Sequence, residues 1–283
     1  MHIHSTYSDG TNSPAEIVAL AAKHRLSTIS LTDHDTMVGT KEVVRAGEEA
    51  EIEVIPGLEL SVVHGGKPLH ILGYCLDEDN EELQRVLKKI QQARDERNKV
   101  IIDKLVDLGI PVTMGELKEL SRQGQAGRPH IGAMLVKHGV VKNINQAFQH
   151  YLKKGRCGYT ARQEFEAEEA ICQIKRAGGL AVLAHPVQFS SSVVVLSVLV
   201  RELVAAGLDG VEMYYPSQSP AFRKKLHKRI ERYDLLYTGG SDYHGEVRPG
   251  SSVGVELAAE LVEEMRRRIR ERLEMKRSEL SKV

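Results

Sequence analysis

Short apolar, β-branched runs alternate with helical patterns along most of this chain, the signature of parallel β/α units rather than of a sandwich or a bundle. Strand-like runs fall at 28–32, 54–60, 68–74, 180–184, 208–213 and 235–238, and Ile3 lies in a truncated run at the start. That is roughly seven strands, a number in the barrel range. Helix punctuation fills the gaps between them. Ser13, Pro14 and Glu16 combine a capping box with proline at the first helical position, and a further helix is expected near 41–50.

The alternation stops between Asn80 and Tyr159. Leu83, Val86, Leu87, Ile90, Ala93, Val100, Ile101, Leu105 and Leu108 keep helical spacing up to Gly109, and Thr113 with Glu116 opens another helix. The pattern therefore predicts a discontinuous β/α domain, residues 1–79 and 160–283, carrying a helical insertion subdomain over 80–159. Val193 to Val200, interrupted only by Ser197, reads as a buried helix. Beyond Val255, Leu257, Leu261, Met265, Ile269 and Leu273 mark a charged, solvated outer helix.

Composition narrows the function. A hydrophobic fraction of 41% supports a large core, while Lys plus Arg equals Asp plus Glu at 39 each. No global positive field then exists to hold long nucleic acid, and an anionic partner must be gripped locally. Cys75, Cys157 and Cys172 show no paired spacing, which argues against a disulfide framework or a thiolate zinc site. No apolar run reaches the length of a membrane span and no signal peptide opens the chain, so a cytoplasmic protein with no membrane partner is expected.

Chemistry concentrates where strands end. His2 and His4 project from one face of an extended segment, Asp9 follows on the next loop, His34 lies just past a strand, Glu59 ends another and His70 sits within the next. His185 directly follows the run 180–184, and Asp242 and His244 follow Gly239 and Gly240. Core histidines have no reason to gather at the face of a β/α fold that builds active sites. His24, His64, His138, His150 and His227 lack such placement and read as structural or surface residues. Mixed imidazole and carboxylate donors suit divalent zinc, manganese or iron.

A second constellation is Gly127, Arg128, Pro129 and His130. Pro129 suits a first helical position, which places Arg128 beside the helix start and His130 in its first turn, where free N–H groups and a guanidinium converge on an anion. Lys41, Arg122 and Arg162 are further candidate phosphate contacts, and Tyr214 and Tyr215 candidates for stacking or rim packing. Asp33, Asp35 and Tyr243 are candidates to orient the histidines.

Six motifs, HIHSTYSDG (2–10), TDHD (32–35), PGLE (56–59), HILGY (70–74), AHP (184–186) and GSDYH (240–244), resemble in order those of the PHP (polymerase and histidinol phosphatase) family. Members of that family begin the first strand several residues before the paired histidines. The resemblance implies an α/β fold, a distorted seven-stranded β/α barrel holding three divalent ions. One ion would take His2, His4, Glu59 and Asp242, a second Glu59, His70 and His185, and a third Asp9, His34 and His244. Hydroxide on the metals, not a side chain, would be the nucleophile. The insert and its Gly-Arg-Pro-His resemble those of the nucleotide phosphatase branch, where they help bind substrate phosphate. That implies removal of the 3′-phosphate of nucleoside 3′,5′-bisphosphates, with trimming of short single-stranded oligoribonucleotides from the 5′ end. Histidinol-phosphate phosphatase, a polymerase-type 3′-exonuclease and a metal-stabilised binding module without catalysis are the alternatives.

Overall fold

The computed structural model describes residues 1–121, 124–161, 165–248 and 250–280. After α1 (Pro14–Lys23), two short parallel strands, β1 (Thr28–Ile29) and β2 (Glu53–Val54), flank α2 (Thr40–Glu49). A five-stranded sheet follows in the order β3 (Gly57–His64), β4 (Lys67–Tyr74), β5 (Leu180–Leu183), β6 (Gly210–Tyr214) and β7 (Leu236–Gly239). Backbone contacts tie the chain start and the first strands to this sheet. His4 N–H donates to Tyr243 O (2.9 Å), Thr32 N–H to Ile3 O (2.8 Å) and Asp35 N–H to Glu59 O (3.0 Å).

Not all of the sheet is parallel. β3 pairs antiparallel with β4, and β4 with β5, while β5, β6 and β7 run parallel. Gly65-Gly66, not singled out in the sequence, turns the β3–β4 hairpin with φ of +56° and +69°, a conformation that costs glycine little. The run expected at 54–60 is broken at Pro56, which has no N–H to give a ladder, and β3 instead extends to His64.

Alternation along β3 sets the two faces of the site. Leu58, Leu60 and Val62 belong to the main hydrophobic core, while Glu59 and Ser61 point the other way. α7 (Ala167–Arg176), α9 (Val193–Ala205) and α10 (Pro220–Ile230) supply Ile171, Ile174, Leu196, Val200, Leu203 and Leu226 to that core. Each such fully buried side chain contributes on the order of 2 kcal/mol through burial, enough to anchor a face that carries polar groups on its other side. α9 leaves Val194, Val195 and Val198 exposed, so the helix expected to be buried is amphipathic. The charged α11 (Ala259–Leu280) is not merely solvated, because Met265 and Ile269 bury against Leu72, Tyr74 and Leu236.

Between β4 and α7 lie α3 (Glu81–Asp107), α4 (Met114–Leu120), α5 (Arg128–Lys137), α6 (Ile144–Ala147) and a π-helical turn, Phe148–Leu152. They enclose a hydrophobic cluster of their own, built on Ile101, Leu105, Leu117, Ile131, Met134 and Leu152. Asn80 caps α3 through Leu83 N–H, and the helix ends before Gly109, whose φ is +79°. α8 (Pro186–Phe189) and 3-10 turns at Glu231–Tyr233 and Gly245–Val247 complete the elements among the described residues. Among the described residues no helix is long and apolar enough to cross a membrane.

Candidate metal centre

His2 and His4, one pleat apart, bring their Nε2 atoms within 3.2 Å of each other. Glu59 reaches up between the imidazoles. Its Oε2 lies 3.2 Å from His2 Nε2, 3.2 Å from His4 Nε2 and 3.1 Å from His34 Nδ1. Its Oε1 lies 2.9 Å from His70 Nδ1 and 3.0 Å from His185 Nε2. Asp242 Oδ1 stands 3.2 Å from His4 Nε2, and Asp9 Oδ1 3.2 Å from His244 Nε2. Three groups of donor atoms converge: His2, His4, Glu59 and Asp242; His4, Asp9, His34 and His244; and His34, Glu59 and His70. His185 joins this last set through Glu59 and His70, its Nε2 3.2 Å from His70 Nδ1.

The donor chemistry fits divalent cations. Glu59 Oε2 and His244 Nε2 are buried without a hydrogen-bond partner, an arrangement that costs free energy unless something electropositive lies between them and their neighbours. Other contacts aim the lone pairs. His244 Nδ1–H donates to Asp242 O (2.8 Å) and His2 Nδ1–H to Glu212 Oε1 (3.0 Å), which leaves both Nε2 atoms free to ligate. Glu212 also accepts the His185 N–H (2.7 Å). Gly240 allows this approach, since a Cβ there would stand 2.2 Å from His2 Cβ and 2.5 Å from Glu212 Oε1. Asp35, His185 and Asp242 all adopt positive φ, strain of the kind that collects at functional sites.

Burial works against charge here; at Glu59, Asp242 and His4 neighbours of opposite sign outweigh it, whereas at His34 burial prevails and holds the imidazole well below its ordinary range. It raises the Glu59 and Asp242 carboxyls, yet the surrounding histidines hold both well below the carboxylate range. Burial pushes His4 down, but the facing Asp242 and Glu59 carboxylates raise it to about 9. A protonated His4 thus stabilises the metal-free protein. A raised folded-state pKa gives stability that is complete below the unfolded value of 6.5 and lost as pH climbs through about 9. Chelated protein should therefore melt several degrees lower at pH 9 than at pH 6.5. Manganese-loaded protein, in which the ion replaces the proton, should not follow. Thermal unfolding of both forms across this window is the check, and parallel curves would remove His4 from the cation site.

The PHP domain model matches residues 1–157. The chain belongs to the PHP family. It is 34% identical over 86% of its length to a 5′-3′ exoribonuclease of Haemophilus influenzae, covering 89% of that protein. It is 32% identical to a 3′,5′-nucleoside bisphosphate phosphatase of Chromobacterium violaceum, over 90% of each chain. A solved structure of a candidate metal-dependent phosphoesterase from Bifidobacterium adolescentis superposes with a TM-score of 0.84 at 30% identity, over 93% of both chains. The protein is accordingly a hydrolase, a metal-dependent phosphoesterase with an α/β fold.

Several expected residues sit differently within this PHP fold. Arg128 is itself the first residue of α5 and Gly127 its cap, with Pro129 second. His130 Nδ1 accepts the Gly127 N–H (3.2 Å), leaving Nε2–H as its donor. Arg128 is half-buried, donates Nη1 to Leu152 O (3.4 Å) and lies over the Phe148 ring at 5.6 Å. Lys41 pairs with Asp79 on the surface, and Arg122 and Arg162 lie outside the described residues. Asp33 accepts from the Ser5 and Ser8 hydroxyls, and Ser8 Oγ lies 3.4 Å from His4 Nδ1, so Asp33 reaches that ring through Ser8. Asp35 pairs with Arg94, and Tyr243 bonds Asn12 rather than a histidine. Tyr215 donates to Asp242 Oδ2 (3.2 Å), while Tyr214 packs under Arg223. His64, His138 and His227 pair with surface carboxylates outside the cluster.

Three arginines escaped the sequence reading. Arg248, in the segment after β7, pairs with Asp242 Oδ2. Arg94 joins Asp35 and Ser61 Oγ (3.1 Å) at the edge of the cluster, and buried Arg97 donates Nε–H to Thr160 O (2.9 Å). Burial, then repulsion from Arg128 and Arg94, lowers the Arg97 guanidinium to about 10. Among the described residues neither Arg97 nor Arg128 is in an ion pair. An arginine on an amphipathic helix gives no sequence signal by itself, but two basic positions three residues apart on α3, one of them on its buried stripe, could have raised the question.

Proposed function

We propose that the protein removes the 3′-phosphate of nucleoside 3′,5′-bisphosphates and trims short oligoribonucleotides from the 5′ end. The observation that carries this reading is the gathering of Arg94, Arg97 and Arg128 beside the donor cluster. Asp35 already answers Arg94, but Arg97 and Arg128 are met by the Thr160 and Leu152 carbonyls and by no ion pair among the described residues; like charges at partial burial repel, so these two call for an anion. One phosphate at the metals and another at the arginines matches a substrate with two phosphates on one ribose. The family relatives named as a bisphosphate phosphatase and an exoribonuclease agree with it.

On this reading residues 1–79 and 160–283 form a distorted seven-membered barrel, closed by the backbone bonds of the chain start, and 80–159 is a substrate-binding insert. Three ions would be held, by His2, His4, Glu59 and Asp242, by Glu59, His70 and His185, and by Asp9, His34 and His244. Divalent ions supply neutralisation of phosphate oxygens and activation of water near neutral pH. The chain itself orients. Arg128 and Arg97 fix the second phosphate, Arg94 holds α3 to Asp35 beside His34, and His130 presents Nε2–H toward the phosphate region. A compact bisphosphate satisfies both sites, whereas histidinol phosphate has one phosphate and a cationic amine facing the arginines.

Side-by-side kinetics with manganese should give kcat/KM for adenosine 3′,5′-bisphosphate at least about tenfold above that for adenosine 3′-phosphate, and further above histidinol phosphate, because one charge-assisted contact contributes about 1.5–3 kcal/mol. Equal rates for the two adenosine esters would take the second phosphate out of recognition, and a lead for histidinol phosphate would replace the substrate class.

A further inference from the structure

We propose that the cleft between α5 and the rim after β7 receives the nucleobase of the substrate. The proposal rests on the bisphosphate reading and adds to it the place of the third branch of the nucleotide. The cleft encloses about 200 Å³. That is below the roughly 300–1,000 Å³ of pockets that hold a whole drug-sized ligand, and suits one flat heterocycle rather than an entire substrate. Much of its wall is apolar, from Leu120, Pro129, Ala133, Ile144 and Val247, with Thr6, Thr11 and Ser121 also on it.

Its position carries the argument. Asp9 and His130 belong to the wall of the cleft and also to the metal centre and the start of α5. From this junction three chemically distinct regions diverge: carboxylates and imidazoles for cations, guanidiniums for an anion, and an apolar slot. A nucleoside bisphosphate diverges in the same way from its ribose, into the scissile phosphate, the other phosphate and the base. Apolar walls favour the π-face of a base, which every base offers.

The test compares adenosine 3′,5′-bisphosphate with its tetrahydrofuran analogue, which keeps both phosphates and lacks the base. The wild type prefers the nucleoside by roughly tenfold to a hundredfold, the value of stacking one base. Ala133→Phe and Val247→Phe fill the slot from opposite walls, so failure of either to fold leaves the other. Each collapses that preference toward one, with the loss carried by KM. A wild-type ratio already near one, or a ratio unchanged in folded variants, overturns the proposal. If the wild type hydrolyses neither bisphosphate, the functional reading falls, and calorimetric titration of AMP into manganese-loaded protein decides the cleft separately. Weakening of AMP binding by tenfold or more in either variant supports it, and unchanged binding overturns it.

Discussion

Glu59→Gln is expected to lower kcat by roughly a thousandfold or more, the largest effect of any single substitution in this chain. Both oxygens of Glu59 are shared: Oε2 among His2, His4 and His34, and Oε1 between His70 and His185. Glutamine keeps the shape and the carbonyl but removes the charge and turns one oxygen into an N–H donor, which repels a cation. Cation charge stabilisation supplies several kcal/mol in such sites, and each 1.4 kcal/mol or so is tenfold. The fold should persist, because Leu58 and Leu60 anchor β3 from its other face. Metal content and circular dichroism, measured with turnover, separate loss of ions from loss of structure. A variant with normal turnover and a full metal complement would take Glu59 out of the centre. Asp242→Asn should act in the same direction but less strongly, since Asp242 lends only Oδ1 while Oδ2 is held by Tyr215 and Arg248.

Arg128→Ala is expected to reduce kcat/KM for a nucleoside bisphosphate roughly tenfold to a hundredfold, the value of one charge-assisted phosphate contact of about 1.5–3 kcal/mol. Metal content should be unchanged, because a charged guanidinium is no ligand. Arg128→Lys should recover part of the loss, restoring charge without the planar fork. Phe148 and the Leu152 carbonyl hold the guanidinium in place, so a small loss of stability accompanies either change. An arginine that only packed on Phe148 would give that stability loss with normal kinetics. Unchanged kcat/KM in Arg128→Ala would leave phosphate binding to the metal cluster alone.

Most residues of the candidate metal centre were readable because they lie beside strand ends, in short motifs such as TDHD and GSDYH whose polar residues interrupt apolar runs, although Glu59 and His70 lie within β3 and β4. Position along the chain therefore announced position in space. The sheet was less readable. β4 is apolar on both faces, with Leu69 and Ile71 in one core and Leu72 and Tyr74 in another, so its alternation was muted, and Gly65-Gly66 was the mark of a hairpin rather than a crossover. Glu212 was hidden for another reason: it stands alone in an apolar strand, and its importance comes from His2 and the His185 N–H, which lie 210 and 27 residues away. Arg94 and Arg97 were obscured by the long charged helix that carries them, where a basic residue at the edge of the apolar stripe is ordinary. The insert itself was visible as a lapse in strand patterning, while its contact with the sheet, through Arg94 and Asp35, was not.

The measurement that tests the account most directly is metal stoichiometry by elemental analysis, taken on manganese-loaded, chelated and reloaded protein alongside phosphoester hydrolysis. The account predicts up to three divalent ions per chain after loading, loss of hydrolysis when they are stripped and its return when they are restored. Protein that carries no metal after loading, or hydrolyses the ester at the same rate with and without its ions, would contradict it.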